Sequence, residues 1–194
     1  MKIKAGIAAM VAAVLMGGTF AQASLLTFTL EEDGDNLVAT VSGSLNTDAL
    51  TYRFNSYWGG TISSLNGQLI VGPHGLDSVI VAVWDLASSD SSFGENSGSV
   101  TSDSFTGDIA GIDLSHNWVM VPTSYVSGSA LSGSATWNNR SFDSMGIASG
   151  TYTTTYNGGA DSVVLQVIPE PATALIVALG GGLLALFRRF YSRF

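Results

Sequence analysis

Cysteine is absent from this chain of 194 residues. Its absence excludes disulfide bonds, thiol nucleophiles, zinc sites built on thiolates and the cysteine-linked lipid anchors of bacteria. Basic residues are also scarce: the segment from Ser24 to Ile168 holds only Arg53 and Arg140 against 14 acids, a formal charge of −12. This balance excludes nucleic-acid binding, which needs a basic surface to displace phosphate counterions.

Residues suited to catalysis are few as well. Histidine occurs only at positions 74 and 116, and the G-x-S-x-G motif of many serine hydrolases is missing. His74 follows Gly-Pro and His116 lies between Ser and Asn, which are contexts typical of polar turns. We therefore predict no catalytic residue, no bound metal and no cofactor. Calcium held by the oxygen-rich loops 31–36 or 103–108 is the alternative.

Long apolar runs are confined to the two ends of the chain. At the N-terminus, Lys2 and Lys4 precede the apolar run Ala5–Gly18, and Ala21-Gln22-Ala23 has the small-x-small pattern of a cleavage site. We predict a signal peptide over residues 1–23, read by the secretory translocon and removed by signal peptidase. The mature chain would then begin at Ser24.

The last 28 residues, 167–194, form a second terminal segment. It contains Pro169-Glu170-Pro171, an apolar run at 172–187 and a basic cluster at 188–194. As a helix, the run would be about 24 Å long, slightly short for a membrane span. Arginines follow the run and none comes just before it, so the positive-inside rule places the C-terminus in the cytoplasm. The arginines concerned are Arg188, Arg189 and Arg193.

The P-E-P sequence, the short apolar helix and the terminal arginines together resemble the PEP-CTERM sorting tail of Gram-negative bacteria. Residues 167–173 (VIPEPAT) match the family's usual V-P-E-P-[ST] form, with departures at Ile168 and Ala172. The resemblance implies that exosortase, a membrane-embedded transpeptidase-like enzyme, recognises the tail near the P-E-P. It also implies transient anchoring in the inner membrane, followed by secretion or display at the cell surface, often in bacteria that make exopolysaccharide.

The middle of the chain, residues 24–166, has the pattern of an all-β ectodomain. Short alternating runs bounded by turn residues predict a sandwich or a jelly-roll-like fold. On the strand ending at Trp58, alternation places Tyr52, Phe54 and Trp58 on one face. We expect a loop at 88–103, one helical turn at 141–145 and a central strand at Ser78–Asp85. The predicted strands are Leu26–Leu30, Leu37–Leu45, Leu50–Trp58, Ser78–Asp85, Thr106–Leu114, Asn117–Val121, Ser129–Trp137, Thr151–Tyr156 and Ser162–Val167.

Two blocks of this domain, 124–137 and 150–156, resemble blocks common to one large group of PEP-CTERM ectodomains, a resemblance that implies no catalysis. Tyr152, Thr154 and Tyr156 share one face of a predicted strand and are candidate carbohydrate contacts, with core packing as the alternative. No Thr-x-Thr array repeating across strands is expected.

We predict a non-enzymatic, exosortase-processed surface or matrix protein of a Gram-negative bacterium, associated with exopolysaccharide in a biofilm. The alternative is a secreted polysaccharide-active hydrolase, or a carbohydrate-binding module, with the same tail. A hydrolase requires two carboxylates, or His74 and His116 with an acid, to converge in a cleft.

Overall fold

A computed structural model describes residues 23–73, 79–87, 90–96 and 98–169. Within these ranges the chain consists of β-strands, connecting turns and two short 3-10 turns at Thr47–Ala49 and Asn157–Gly159. The strands are β1 (Leu25–Asp33), β2 (Asn36–Ser44), β3 (Thr51–Trp58), β4 (Thr61–Ser63), β5 (Gln68–Val71), β6 (Val79–Asp85), β7 (Val100–Thr101), β8 (Ser104–Gly107), β9 (Ala110–Asp113), β10 (Trp118–Pro122), β11 (Ala130–Trp137), β12 (Gly150–Tyr156) and β13 (Asp161–Ile168).

The strands form two sheets, which confirms the predicted all-β fold and is consistent with the predicted sandwich. The first sheet has the order β12-β13-β1-β2-β11-β8, and the second has the order β3-β6-β10-β9-β5-β4-β7. β1 and β13 run parallel, and the other strand pairs are antiparallel. The first and last strands of the domain therefore lie side by side in the interior of one sheet.

Alternation of apolar and hydroxyl side chains explains the first sheet. On β1, Leu26, Phe28 and Leu30 are fully buried, whereas Thr27 and Thr29 between them remain partly exposed. Successive side chains of a strand point to opposite faces, so this spacing directs the apolar set inward and the hydroxyls outward. The same alternation of buried and more exposed positions is found on β2 and β13, although the outward residues of β13 include Val164 and Gln166.

The main core lies between the two sheets. Its largest fully buried side chains are Trp137, Phe28 and Phe93. The indole Nε1 of Trp137, on β11 of the first sheet, donates a hydrogen bond of 2.9 Å to the carbonyl oxygen of Val100 on β7 of the second sheet. This bond satisfies a buried donor and links the two layers.

A second apolar cluster lies on the other face of the seven-stranded sheet. It contains Ile70, Val81, Val83, Ile109 and Met120, against which Phe54, Trp58 and Trp118 pack. The pairing between β3 and β6 shifts between Tyr52 and Phe54, so Tyr52 pairs with Trp84 and Phe54 with Val83. The bulge reverses the alternation at this point. The prediction that Tyr52 shares a face with Phe54 and Trp58 is therefore wrong.

Several other boundaries differ from those predicted. The strand expected over Thr106–Leu114 is two strands in different sheets, β8 and β9, separated after Gly107, whose φ is +75°. The strands β4, β5 and β7 were not predicted, and β7 lies inside the segment expected to be a loop. The turn expected at 141–145 is present, where the Met145 amide donates to the Ser141 carbonyl oxygen at 3.1 Å. β6 is an interior strand, second from the sheet edge.

No helix within the described ranges has the length and apolar character needed to cross a membrane. The apolar run of the predicted signal peptide and the predicted membrane helix at 172–187 lie outside the described residues. Both remain predictions from the sequence.

Candidate functional site

The two predicted processing sites lie at the borders of the described domain. Ala23 is exposed and Ser24, the next residue, is buried. Pro169 is exposed directly after β13. The other residues assigned to processing and topology lie outside the described residues; they are Ala21, Glu170, Pro171, Arg188, Arg189 and Arg193.

The parallel pairing of β1 and β13 fixes where these two borders lie. Leu25 is opposite Ser162 at one end of the pair, and Glu31 is opposite Ile168 at the other. The two ends are six residues apart along a strand, or roughly 20 Å. The Ser24 border and the Pro169 border therefore lie at opposite ends of the first sheet.

The three candidate carbohydrate contacts face the interior of the sandwich. Thr154 and Tyr156 are buried, and Tyr152 is half-buried against the main core, with its ring 6.4 Å from that of Phe93. Burial leaves Thr154 and Tyr156 unavailable to a ligand on the sheet surface. The outward residues of β12 are instead Thr151, Thr153 and Thr155, which are exposed.

The outer surface of the first sheet carries an ordered array of hydroxyl groups. One row crosses all six strands, because pairing brings Thr29 beside Thr40 and continues the row outward on both sides. From one edge to the other, the row reads Thr151, Gln166, Thr29, Thr40, Ser134 and Thr106. At its end, the hydroxyls of Thr106 and Ser134 are 2.8 Å apart.

A second row lies two residues along the strands. It reads Thr153, Val164, Thr27, Ser42 and Ser132. Neighbouring hydroxyl positions are about 4.8 Å apart across strands and about 6.7 Å apart along them. No charged residue belongs to either row. We call the nine hydroxyl residues of these rows the hydroxyl face; they are Thr27, Thr29, Thr40, Ser42, Thr106, Ser132, Ser134, Thr151 and Thr153.

The hydroxyl face is a mixed array of Ser and Thr, and the Thr-x-Thr pattern itself is found on only two of its strands, β1 and β12, which are not neighbours. Thr27-x-Thr29 and Thr151-x-Thr153 lie on strands separated only by β13, and Ser or Thr continues the pattern on β2, β11 and β8. The array could not be predicted because it depends on which strands pair and in what register, and periodicity within a single strand shows neither the partner nor the register.

His116 belongs to a local cluster that resembles a catalytic triad in composition only. Its Nδ1 lies 3.0 Å from both carboxylate oxygens of Asp113 and 3.1 Å from the hydroxyl of Ser115. In a Ser-His-Asp triad, the acid and the nucleophile bind opposite ring nitrogens. Here both contact Nδ1, so no proton relay connects Ser115 to Asp113 through the ring. The cluster is better explained as a turn in which the buried Asp113 also accepts from the His116 amide.

Three neighbouring side chains, from His116, Arg53 and Phe54, pack against the ring of Trp118. The imidazole of His116 stacks on its ring at 4.5 Å, and the guanidinium of Arg53 lies 5.7 Å from the ring centroid. Phe54 contacts the same ring edge-on. Arg53 is also held by Asp85 at 2.9 Å. The stacked imidazole of His116 covers a face of the indole that a sugar ring would otherwise use.

Two clefts are lined by described residues, and neither of them brings carboxylates together. A cleft of about 670 Å³ beside Ser24 has Asp48 as its one acidic lining residue, and a smaller one near Arg140 has Asp35. Among the described residues, no group of three or more His, Asp or Glu side chains is placed to hold a metal ion. His74 lies outside the described residues, so the convergence with His116 that the hydrolase alternative requires stays untested. Calcium bound by the loops 31–36 or 103–108 also stays a prediction.

A buried polar junction lies beside the larger cleft, and sequence reasoning did not identify it. Asp161, only 2% exposed, accepts the backbone N–H of Ser24 on Oδ1 at 2.7 Å. Its other oxygen accepts from the side-chain amides of Asn46 at 2.9 Å and Asn157 at 2.7 Å. The hydroxyls of Ser24 and Tyr156 are 2.8 Å apart. We call these five residues the Asp161 junction.

The hydrogen bonds of the Asp161 junction hold its acid ionised. Burial pushes the pKa of Asp161 upward, but the bonds from Ser24, Asn157 and Asn46 outweigh it, and the pKa of this carboxyl lies below its ordinary value. Burial raises the pKa of the neighbouring Tyr156, so its hydroxyl stays protonated at neutral pH. The junction therefore holds one buried negative charge that three N–H donors stabilise.

Comparisons with known proteins identify no relative of this chain. No family model, no curated protein and no solved structure matches this chain. Its function has to be inferred from its own residues and their geometry.

Proposed function

We propose that this chain is an exported protein that exosortase processes at its C-terminal tail, and that its β-sandwich associates with exopolysaccharide at the cell surface or in the extracellular matrix. In this proposal residues 1–23 are the signal peptide, 172–187 the transient membrane anchor and 188–194 its cytoplasmic end. The sandwich acts by binding and carries no catalytic site.

The position of Pro169 supports the sorting half of the proposal. The last paired residue of the domain is Ile168, and the exposed Pro169 follows it without an intervening linker. Proline cannot donate to a strand ladder, and an X-Pro-X-Pro segment stays extended. Pro169 is therefore accessible to a membrane-embedded enzyme, and by sequence the two prolines would keep the P-E-P segment extended, while the Ser24 border lies at the far end of the sheet.

The combined change Pro169→Ala, Glu170→Ala and Pro171→Ala is expected to block processing. In an exosortase-positive host, wild-type protein should reach the cell surface without its tail, whereas the triple variant should stay in the inner membrane with its tail attached. Intact-mass analysis of surface and inner-membrane fractions measures this. The substitutions follow the last strand, so the melting temperature of the domain should not change.

Wild-type protein in a host from which exosortase has been deleted is the control, and it should accumulate in the membrane like the triple variant. Full-length wild-type protein on the surface of the exosortase-positive host would contradict the sorting half of the proposal.

The hydroxyl face supports the polysaccharide half of the proposal and is the observation that carries it. It is an uncharged array about 24 Å wide across six strands. Hydroxyl groups donate and accept hydrogen bonds, as the hydroxyls of a sugar do, so a repeating array suits a repeating polymer. Tyr152, Tyr156 and Trp118 offer no comparable open surface, because neighbouring side chains pack against them.

A charged pair introduced at the centre of the hydroxyl face should weaken polysaccharide binding by about tenfold, the loss expected from two hydrogen bonds. Thr29 and Thr40 are directly opposite on β1 and β2, so Thr29→Lys with Thr40→Glu places complementary charges across the strands and preserves the sheet. Retention of surface-extracted protein on the host's own exopolysaccharide is the measurement.

The matched control places the same pair on the second sheet. Tyr57 and Ile80 are opposite each other on β3 and β6 and are 71% and 41% exposed, so Tyr57→Lys with Ile80→Glu introduces the same two charges away from the hydroxyl face. Retention of this control should match wild type. Equal retention of both variants, or no retention of wild type, would remove the hydroxyl face as the binding surface.

A further inference from the structure

We infer that the buried carboxylate of Asp161 is a receptor for the α-ammonium group of Ser24, which cleavage of the Ala23–Ser24 bond creates. The inference rests on the proposed removal of the signal peptide after Ala23. It goes beyond export, because it assigns the new N-terminus a fixed place inside the folded domain.

The receptor is already assembled around the nitrogen atom concerned. In the uncleaved chain the Ser24 nitrogen is a peptide amide, and it lies 2.7 Å from Oδ1 of Asp161. Ser24 is 4% exposed and Asp161 2% exposed, whereas Ala23 is exposed. The chain thus passes from surface to interior at the predicted cleavage bond. The Ser24 carbonyl oxygen, which accepts from Ser162 at 3.0 Å, fixes the residue from its other side.

Cleavage changes the chemistry of this contact without requiring the atoms to move. Hydrolysis adds one water across the Ala23–Ser24 bond: Ala23 leaves as a carboxylate, and the Ser24 nitrogen becomes an amine that takes up a proton near neutral pH. An amide facing a buried carboxylate is thereby replaced with an ammonium facing it. The carboxylate is ionised in both states, so what cleavage adds is the Coulomb attraction between two opposite charges.

The surroundings favour the charged amine. The titratable groups around the Ser24 nitrogen are Asp161, Tyr156 and, across the adjoining cleft, Asp48, with Tyr125 next to Tyr156. None of these brings a positive charge near neutral pH. Ala23 also lines the cleft, so water can reach the remaining hydrogens of the ammonium once Ala23 has been removed. Burial by itself would lower the pKa of an amine, and only a partner such as Asp161 would raise it.

The composition of the chain makes the test selective. Lysine occurs only at positions 2 and 4, so a chain that begins at Ser24 contains a single primary amine, its own N-terminus. The full chain is exported in a host without exosortase, extracted in detergent and sequenced from its N-terminus. Its acetylation by an N-hydroxysuccinimide ester is then followed by intact mass across a series of pH values, folded and in urea.

We expect an N-terminal sequence starting at Ser24 and a pKa of its amine in the folded protein at least about one unit above the value in urea. At neutral pH the folded protein should therefore react at least about tenfold more slowly than the unfolded protein. In Asp161→Asn the pKa should fall to the urea value or below it. Should this variant not fold, the comparison of folded and unfolded wild type decides the question alone.

Two failures are distinguishable. An N-terminus other than Ser24 would overturn the proposed cleavage, and the inference with it. An N-terminus at Ser24 whose amine titrates at or below the urea value would overturn the inference while leaving export and sorting intact.

Discussion

Replacing Trp137 with alanine is expected to lower the free energy of unfolding by about 3–5 kcal/mol. Trp137 is fully buried at the end of β11 and is the largest such side chain in the described core. Its removal leaves a cavity between the sheets and takes away the donor that binds the carbonyl oxygen of Val100. Urea unfolding followed by far-UV circular dichroism measures the change, with the m-value unchanged if both states keep their compactness.

Two further variants separate the causes. Trp137→Phe keeps much of the apolar volume but removes the Nε1–H donor, so it should cost less than the alanine variant and report mainly on the bond to Val100. Tyr57→Ala removes an aromatic ring that is 71% exposed and should change stability by no more than about 0.5 kcal/mol. A loss below about 1 kcal/mol for Trp137→Ala would show that the sheets do not pack around this ring.

The parts of the fold that depend on local pattern were predictable. β1, β2 and β11 alternate apolar with mainly hydroxyl residues over eight or nine positions, and β13, where buried and more exposed positions alternate, was placed to within one residue at each end. β4 and β7 have three and two residues, too few for a period to be visible. The bulge at Tyr52 and the break after Gly107 change the direction of side chains without changing composition, so a pattern cannot place them.

The functional features depended on long-range geometry. The Asp161 junction joins residues 137 positions apart in sequence, and the hydroxyl face exists only because β1 lies between β2 and β13. The sequence contained one signal for each feature. Ser24 directly follows the predicted cleavage site, and Thr151, Thr153 and Thr155 alternate along one strand. Tyr152, Thr154 and Tyr156 were candidate ligand contacts with core packing as the alternative, and the burial of Thr154 and Tyr156 favours core packing.

The Gly43→Ala variant is expected to destabilise the domain by about 3 kcal/mol or more, because strain and a backbone clash act together. Gly43 lies in β2 with φ of +115°, a conformation that L side chains rarely adopt. A Cβ there would lie 1.9 Å from the carbonyl oxygen of Leu25, which is backbone and cannot turn aside. Gly43 pairs with Leu26 and Leu131, so the clash would separate β1 from an interior strand.

Gly34→Ala is the matched control, since Gly34 also has a positive φ of +59° but nothing lies within 4 Å of its added Cβ. It should cost only about 1–2 kcal/mol, the price of the left-handed conformation alone. Leu25 follows Ser24 directly, so the clash at Gly43 should also pull the Ser24 nitrogen away from Asp161. The N-terminal amine of exported Gly43→Ala should then titrate near its urea value, whereas that of Gly34→Ala should keep the wild-type value. Equal losses of stability in the two variants would show that β1 can shift to accept the methyl group, and that the Asp161 junction is not held by a rigid contact between β1 and β2.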